Sequence, residues 1–198
     1  MPWFSQPYTV ERRPDAGVNR VPLGMWLFLG LDATLFAALS STYLSRRATA
    51  PEPWLPMRDH LGVASINTIL LLSAVFTLAF ALRAGRRDDG RVFRRWLQIS
   101  GWLALVFIGV KLDEFGALHG RRVILSTRDQ FAMYLLLTGV HFLHVTGGAL
   151  AIGWIGFGQR NQTASPPAAI LNRVEAVLLY WYLVVLAWLV LFVLFHVV

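Results

Sequence analysis

The 198-residue sequence contains no cysteine, which excludes disulfides, iron–sulfur clusters and thiolate metal sites. It is also poor in charge. Only 15% of its residues are Asp, Glu, Lys or Arg, against about 25% in an ordinary soluble domain. With 56% hydrophobic residues and a mean hydropathy of +0.54, the chain holds too much apolar side chain for one water-soluble core. A soluble enzyme, a nucleic-acid module and a disulfide-stapled secreted domain are thereby excluded. The first twenty residues, MPWFSQPYTVERRPDAGVNR, lack an apolar h-region. No cleavable signal peptide is expected there, and the first spanning helix is expected to act as its own insertion signal. An internal repeat of the kind that builds inverted-repeat transporters is missing as well.

What the chain does have is five long apolar stretches: Val21–Leu44, Val63–Arg83, Leu97–Leu118, Phe131–Phe157 and Val174–Val198. Each approaches or exceeds the ~20 residues that a helix needs to cross ~30 Å of hydrocarbon at 1.5 Å per residue. The expected fold is all-α: a polytopic membrane protein whose residues 21–198 form a bundle of five transmembrane helices behind a tail of residues 1–20. The connections carry breakers and charge. Ser45–Gly62 holds Pro51, Pro53 and Pro56, Ala84–Trp96 is charged, His119–Gln130 is short, and Gly158–Arg173 contains Pro166-Pro167.

The net charge is +7, and 17 of the 18 basic residues are arginines. They lie in the tail and loops, where cations meet anionic lipid and set topology, so no nucleic-acid partner is expected. Eleven arginines (Arg12, Arg13, Arg20, Arg83, Arg86, Arg87, Arg91, Arg94, Arg95, Arg160 and Arg173) fall on one side. Six (Arg46, Arg47, Arg58, Arg121, Arg122 and Arg128) fall on the other. The positive-inside rule then puts the N-terminus in the cytoplasm and the C-terminus outside.

An ionisable side chain in hydrocarbon costs about 2.5–3.5 kcal/mol on insertion scales, so each one needs a reason. Asp32 lies near the middle of the first span. It reads either as a proton-accepting group or as a packing group that fixes helix register. His141 and His144 lie near the midpoint of the fourth span, in TGVHFLHVTGG, and their i, i+3 spacing puts both on one face. A metal or haem site is one reading of them. The other is a hydrogen-bonded pair that glues helices, with Asp32 as a candidate partner. His60 and His119 are expected in loops and His196 at the extreme end, so no convergent axial ligand is evident, and no metal or haem is expected in this chain. Gly139, Gly147 and Gly148 flank the pair and would allow a neighbouring helix to approach closely.

The third span closes with Lys111, Asp113 and Glu114. Lys111 and Glu114 can pair on one face, in a polar cluster toward the outer leaflet where snorkelling lowers the cost. Asn67 of the second span, at comparable height, is a candidate partner. Glu175 opens the last span beside Arg173. The helix macrodipole favours a carboxylate there, and an arginine–lipid phosphate contact is plausible. Tyr180, Trp181, Tyr182 and Trp188 lie deeper than an interfacial belt, which predicts a packed protein interface where their N–H and O–H groups find partners.

Read in order, these segments resemble subunit III of the haem–copper terminal oxidases. LGMWLFLGLDATLFAALSSTYL resembles the family's W-L-F-L-x-S-E/D-x-x-x-F, with Asp32 as the acid. INTILLLS resembles L-N-T-x-x-L-L-x-S, giving Asn67, and GVKLDEFGAL resembles G-x-Q-x-x-E-Y/F, giving Glu114. YLLLTGVHFLHVTGG resembles F-x-x-T-G-x-H-G-x-H-V-x-x-G, and VEAVLLYWYLVVLAWLVLFVLF resembles E-A-x-x-x-Y-W-H-F-V-D-x-V-W-x-x-L-F. The likeness runs from Pro22 to the end, with departures. Lys111 replaces the glutamine, Phe142 the glycine between the histidines, and Tyr182 and Val185 the last signature's His and Asp. Since 182 and 185 are three apart, the double change reads as removal of one buried polar pair.

The resemblance implies the shorter, five-helix type of subunit III, in a bacterial-type plasma (inner) membrane. It implies a support role in a complex that reduces oxygen to water and pumps protons. Haem and copper would sit in partner subunits, oxidase subunits I and II, and phospholipid would be bound. No residue of this chain is expected to be catalytic. Asp32, Asn67, Lys111, Glu114, His141 and His144 form the expected polar set, with Arg173, Glu175, Tyr180, Trp181, Tyr182 and Trp188 as lipid or interface residues. An accessory subunit of a nitric-oxide-reducing complex, a haem-bearing quinol-dehydrogenase anchor and a free-standing proton-coupled transporter remain open alternatives.

Overall fold

The computed structural model describes residues 17–50, 54, 61–120, 128–158 and 166–197. The prolines of the first connection, and Arg12, Arg13, Arg58, His60, Arg121, Arg122 and Arg160, lie outside the described residues. The described chain is helical throughout, with short turns: α1 (Gly17–Thr49), α2 (Leu61–Gly85), α3 (Gly90–Gly120), α4 (Arg128–Gly158) and α5 (Ala168–Phe192). A single π turn, Val193–Val197, continues α5. All five helices are long and apolar enough to cross a bilayer. That agrees with the all-α, five-helix expectation.

The helices overrun the apolar runs for identifiable reasons. α3 starts at Gly90, seven residues before the hydrophobic run, because Asp89 caps it: Asp89 Oδ1 accepts the Val92 N–H at 3.0 Å. The charged stretch expected to be a connection is thus mostly helix. The turn before it is a Schellman closure, with Asp89 N–H donating to Ala84 O at 3.1 Å and Asp88 N–H to Gly85 O at 3.2 Å. Asp88 takes the left-handed conformation that this closure needs (φ 60°), and aspartate tolerates it better than most residues. α2 and α3 form the most extensively packed helix pair, and α5 contacts α1, α2 and α4.

In lipid the helices gain no hydrophobic drive from meeting each other, so close packing and interhelical polar bonds must hold them. The larger core joins α2, α3, α4 and α5 around Leu71, Leu78, Phe107, Trp181 and Trp188. A smaller one joins α1, α4 and the end of α5 around Phe36, Tyr43, Tyr134 and Phe195. Ser100 Oγ donates to Ala74 O at 2.8 Å between α3 and α2. Isolated hydroxyls such as Thr34, Thr77 and Thr146 donate to a carbonyl of their own helix one turn back, which removes their cost in oil. α1 is the peripheral helix: 17% of its most apolar window is buried, against 44% for α5.

Candidate functional site

Lys111 on α3 is 1% exposed and Glu114, one turn later, 7%. The ammonium donates to both Glu114 carboxylate oxygens, at 3.0 and 2.9 Å, and to the Tyr134 hydroxyl of α4 at 3.3 Å. The Tyr134 hydroxyl in turn donates to Glu114 Oε1. Three donors meet three acceptor positions, so the lysine is satisfied. The Trp188 ring of α5 lies 4.9 Å from Nζ, a cation–π contact. Its own Nε1–H donates to Thr68 Oγ1 of α2 at 2.8 Å. One cluster therefore touches α2, α3, α4 and α5.

Two expectations need correction at this cluster. Lys111 does not snorkel, because Glu114 and Tyr134 supply its acceptors inside the bundle and the Trp188 ring flanks it. Asn67 is not its partner either. Asn67 is fully buried on α2 with neither amide atom hydrogen-bonded among the described residues, since Lys111 and Glu114 close on each other and on Tyr134. Asp113, one residue from the pair, points outward.

Asp32 on α1 is 8% exposed, and its Oδ1 lies 3.4 Å from His144 Nε2 of α4. The other ring nitrogen, His144 Nδ1, lies 2.8 Å from the Val140 carbonyl one turn back. A carbonyl can only accept, so Nδ1 must carry a hydrogen, which leaves Nε2 as the lone pair of a neutral imidazole. A carboxylate facing that lone pair is repelled. The contact is attractive only when the pair holds one proton, on Nε2 or on the carboxyl group. Asp32 Oδ2 is buried with no hydrogen-bond partner among the described residues. Phe36, one turn along α1, packs its ring edge-on against His144 at 5.2 Å. Tyr180 of α5 donates its hydroxyl to the His144 carbonyl at 2.8 Å.

The two histidines do not act as one unit. His141 turns to the centre of the bundle, where Nε2 donates to Val184 O of α5 at 3.1 Å. Phe36, Phe107 and Trp188 pack around its ring. The two rings face different neighbours: His141 bonds to α5, and His144 lies against Asp32 of α1. The donor set does not fit a haem or metal ion. His141 is committed to a carbonyl and enclosed by aromatic rings, and among the described residues no three His, Asp or Glu side chains converge. Of the flanking glycines, Gly148 marks a close approach, since a Cβ there would lie 3.1–3.2 Å from Trp181 and Tyr180. Gly139 has no such neighbour.

The last helix departs from expectation at two aromatics. Trp181 is fully buried, yet its Nε1–H has no hydrogen-bond partner among the described residues. Tyr182 is 50% exposed and faces away from the bundle, whereas Val185 is buried. The two positions thus lie in different surroundings, because the 60° between them straddles the edge of the α5 contact face. At the helix ends, Glu175 Oε2 meets Arg86 of the α2–α3 turn at 2.9 Å, and Arg173 lies over the Trp154 ring at 6.0 Å. Neither Arg86 nor Tyr134 was singled out by sequence, and neither carries a signal of its own. Each became a partner only because its helix end or face was turned toward the acid.

Comparison with known proteins places this arrangement. The family described as cytochrome c oxidase subunit III matches residues 15–198. A "Probable cytochrome c oxidase subunit 3" of Mycobacterium bovis is 29% identical over 88% of this chain and 86% of its own length. "Cytochrome c oxidase subunit 3" of Thermostichus vulcanus is 31% identical, with the same coverage. "Quinol oxidase subunit 3" of Bacillus subtilis is 28% identical over 86% of this chain and 83% of its own length. These matches do not favour the nitric-oxide-reductase, haem-anchor or transporter alternatives. Five membrane-crossing helices, ionic groups closed inside the bundle and a family match over nearly the whole chain lead to one assignment: the chain belongs to the cytochrome c oxidase subunit III family, as a multi-pass membrane subunit of a haem–copper oxidase complex.

Proposed function

We propose that this chain is a non-catalytic support subunit that packs against the haem- and copper-bearing subunits I and II and helps protons and oxygen reach them. The observation that carries the reading is the Asp32–His144 pair, whose hydrogen-bond geometry requires one proton to be attractive. A buried acid on the peripheral helix, facing a half-buried imidazole of α4 and with one carboxylate oxygen unpartnered among the described residues, can take up a proton and pass it on. Asn67, Lys111, Glu114 and His141 act structurally, holding the bundle against which the pair is set. Tyr182 and the neighbouring exposed α5 residues Leu186, Leu189 and Val190 face lipid or a partner subunit. Residues 1–20 form a cytoplasmic tail and residues 21–198 the membrane body. The C-terminus lies outside a bacterial-type plasma membrane, and phospholipids fill the bundle's surface grooves.

Asp32→Asn tests the reading in the assembled complex. Assembly is expected to stay largely intact while proton delivery slows or the active lifetime of the complex shortens. An unchanged steady-state rate and lifetime between about pH 6 and 9 would reduce Asp32 to a register-fixing group. The support role is tested by purification: the chain is expected to come out with larger haem-bearing subunits. A Soret band belonging to this polypeptide alone would overturn it.

A further inference from the structure

A cleft of ≈ 420 Å³ opens at the turn between α2 and α3, lined by Phe80, Arg83, Arg87, Asp89, Val92 and Trp96 among others. Its chemistry is divided. Phe80 and Trp96 form one wall, with ring centroids 5.3 Å apart, and both belong to membrane-crossing helices. Arg83 and Arg87 form the other end, at and just beyond the last turn of α2. Both guanidinium groups are exposed, and among the described residues neither has an anionic partner.

Three carboxylates lie nearby: Asp88 and Asp89 in the same turn and Glu175 on α5. Asp89 caps α3 through Val92 N–H, and Glu175 is bound by Arg86, which points to α5 instead. Two arginines without a salt-bridge partner among the described residues therefore sit where an apolar aromatic wall meets the end of a spanning helix. The complementary molecule has negative charge at one end and hydrocarbon at the other, set at the depth where a bilayer changes from headgroup to chain. A free inorganic anion would use the arginines and leave the aromatic wall unfilled. A neutral hydrocarbon would do the reverse.

We infer that this cleft is a binding site for an anionic glycerophospholipid, its phosphodiester held by Arg83 and Arg87 and an acyl chain laid along Phe80 and Trp96. The inference rests on the lipid-binding part of the reading above and gives it a location and a headgroup charge. The turn geometry favours a fixed site over a diffuse basic surface. The Schellman closure and the Asp89 cap hold α2 and α3 in one register, so the two arginines and the two rings keep their relative positions.

The test uses the intact oxidase complex, purified in mild detergent, reconstituted in nanodiscs of phosphatidylglycerol and phosphatidylcholine, and re-extracted for native mass spectrometry. The wild-type complex is expected to retain phosphatidylglycerol well above its share of the mixture. The Arg83→Gln/Arg87→Gln variant should retain about tenfold less, because two lipid-facing cations are lost. Arg91→Gln/Arg95→Gln removes the same charge from the same hairpin outside the cleft and should retain as much as wild type. Four results would each overturn the site. They are no enrichment in the wild type, equal loss in both variants, undiminished retention in the first, or displacement of the lipid by inorganic phosphate alone. The wild-type measurement needs no variant to fold. Co-purification of haem-bearing subunits, scored on the same samples, reports separately on the support role.

Discussion

Lys111 and Asp32 are both ionisable side chains inside an oily bundle, but they are accommodated differently. Every donor of Lys111 meets an acceptor from Glu114 or Tyr134. Asp32 has one oxygen at 3.4 Å from an imidazole and the other without a partner among the described residues. The first cluster joins neighbouring core helices, and the second ties the peripheral α1 to α4. A charge whose partners are all in place forms a fixed electrostatic joint, costly to open. A carboxylate beside a single imidazole, with one oxygen lacking a partner among the described residues, is held by fewer contacts and costs less to rearrange. The chain thus places its closed ionic cluster at the centre of the bundle and its less enclosed one at the edge.

The largest effect expected from breaking that contrast comes from Lys111→Met. It strands the Glu114 carboxylate and should cost about 3–5 kcal/mol, the usual penalty for orphaning half of a buried ion pair. The measurement is the fraction of complex that keeps this subunit during stepwise heating in detergent. Lys111→Met/Glu114→Leu removes both charges and should recover most of the loss. Equal damage from the single and double variants would mean that shape, not charge closure, matters at this position.

Asp32→Leu is expected to be milder, about 1–3 kcal/mol for a buried group left without its partner. His144 keeps its Val140 bond, and α1 keeps its apolar contacts with α5. The same heating assay should show α1 losing protection from added protease before the α2–α5 core does. If Asp32→Leu proves as damaging as Lys111→Met, the distinction between closed core and open edge disappears. Trp188→Phe is smaller again, about 1 kcal/mol. It deletes the bond to Thr68 Oγ1 while leaving an aromatic ring beside Lys111. Pairing it with Thr68→Val in a double-mutant cycle isolates that bond, and strictly additive losses would show that it contributes nothing.

The five helices were legible in the sequence because hydropathy averages over about twenty residues and survives local exceptions. Their ends were not. Arg91–Trp96 looks like a charged connection, but it is the first turns of α3, because one aspartate cap at position 89 sets the start. Within the site, Lys111 and Glu114 could be paired from i, i+3 spacing alone, which is a local rule. Tyr134 could not, since nothing in a periodic apolar run says which rotation of α4 faces α3. The same missing rotation left His141 and His144 equally eligible for Asp32. The structure gives that role to His144 and sends His141 toward Val184. Tyr182 was misplaced for this reason too: its depth in the span was readable, but the direction it faces was not.

The weakest prediction sharpens the contrast from outside it. Arg86 and Glu175 approach to 2.9 Å, closer than Asp32 and His144, yet both side chains are about half exposed. Distance alone would rank this bridge first. Solvation reverses the ranking, since an exposed pair gains modest Coulomb energy and loses side-chain freedom, for a net of about 0–1 kcal/mol. Glu175→Gln should therefore shift subunit retention by less than about 0.5 kcal/mol, and added salt should shrink even that. Asp32→Leu should respond little to salt, because counterions do not reach a group this buried. A salt titration of both variants thus separates burial from proximity as the cause of ionic strength in this bundle. Should Glu175→Gln match Asp32→Leu in size and in salt response, burial is not what distinguishes the two sites.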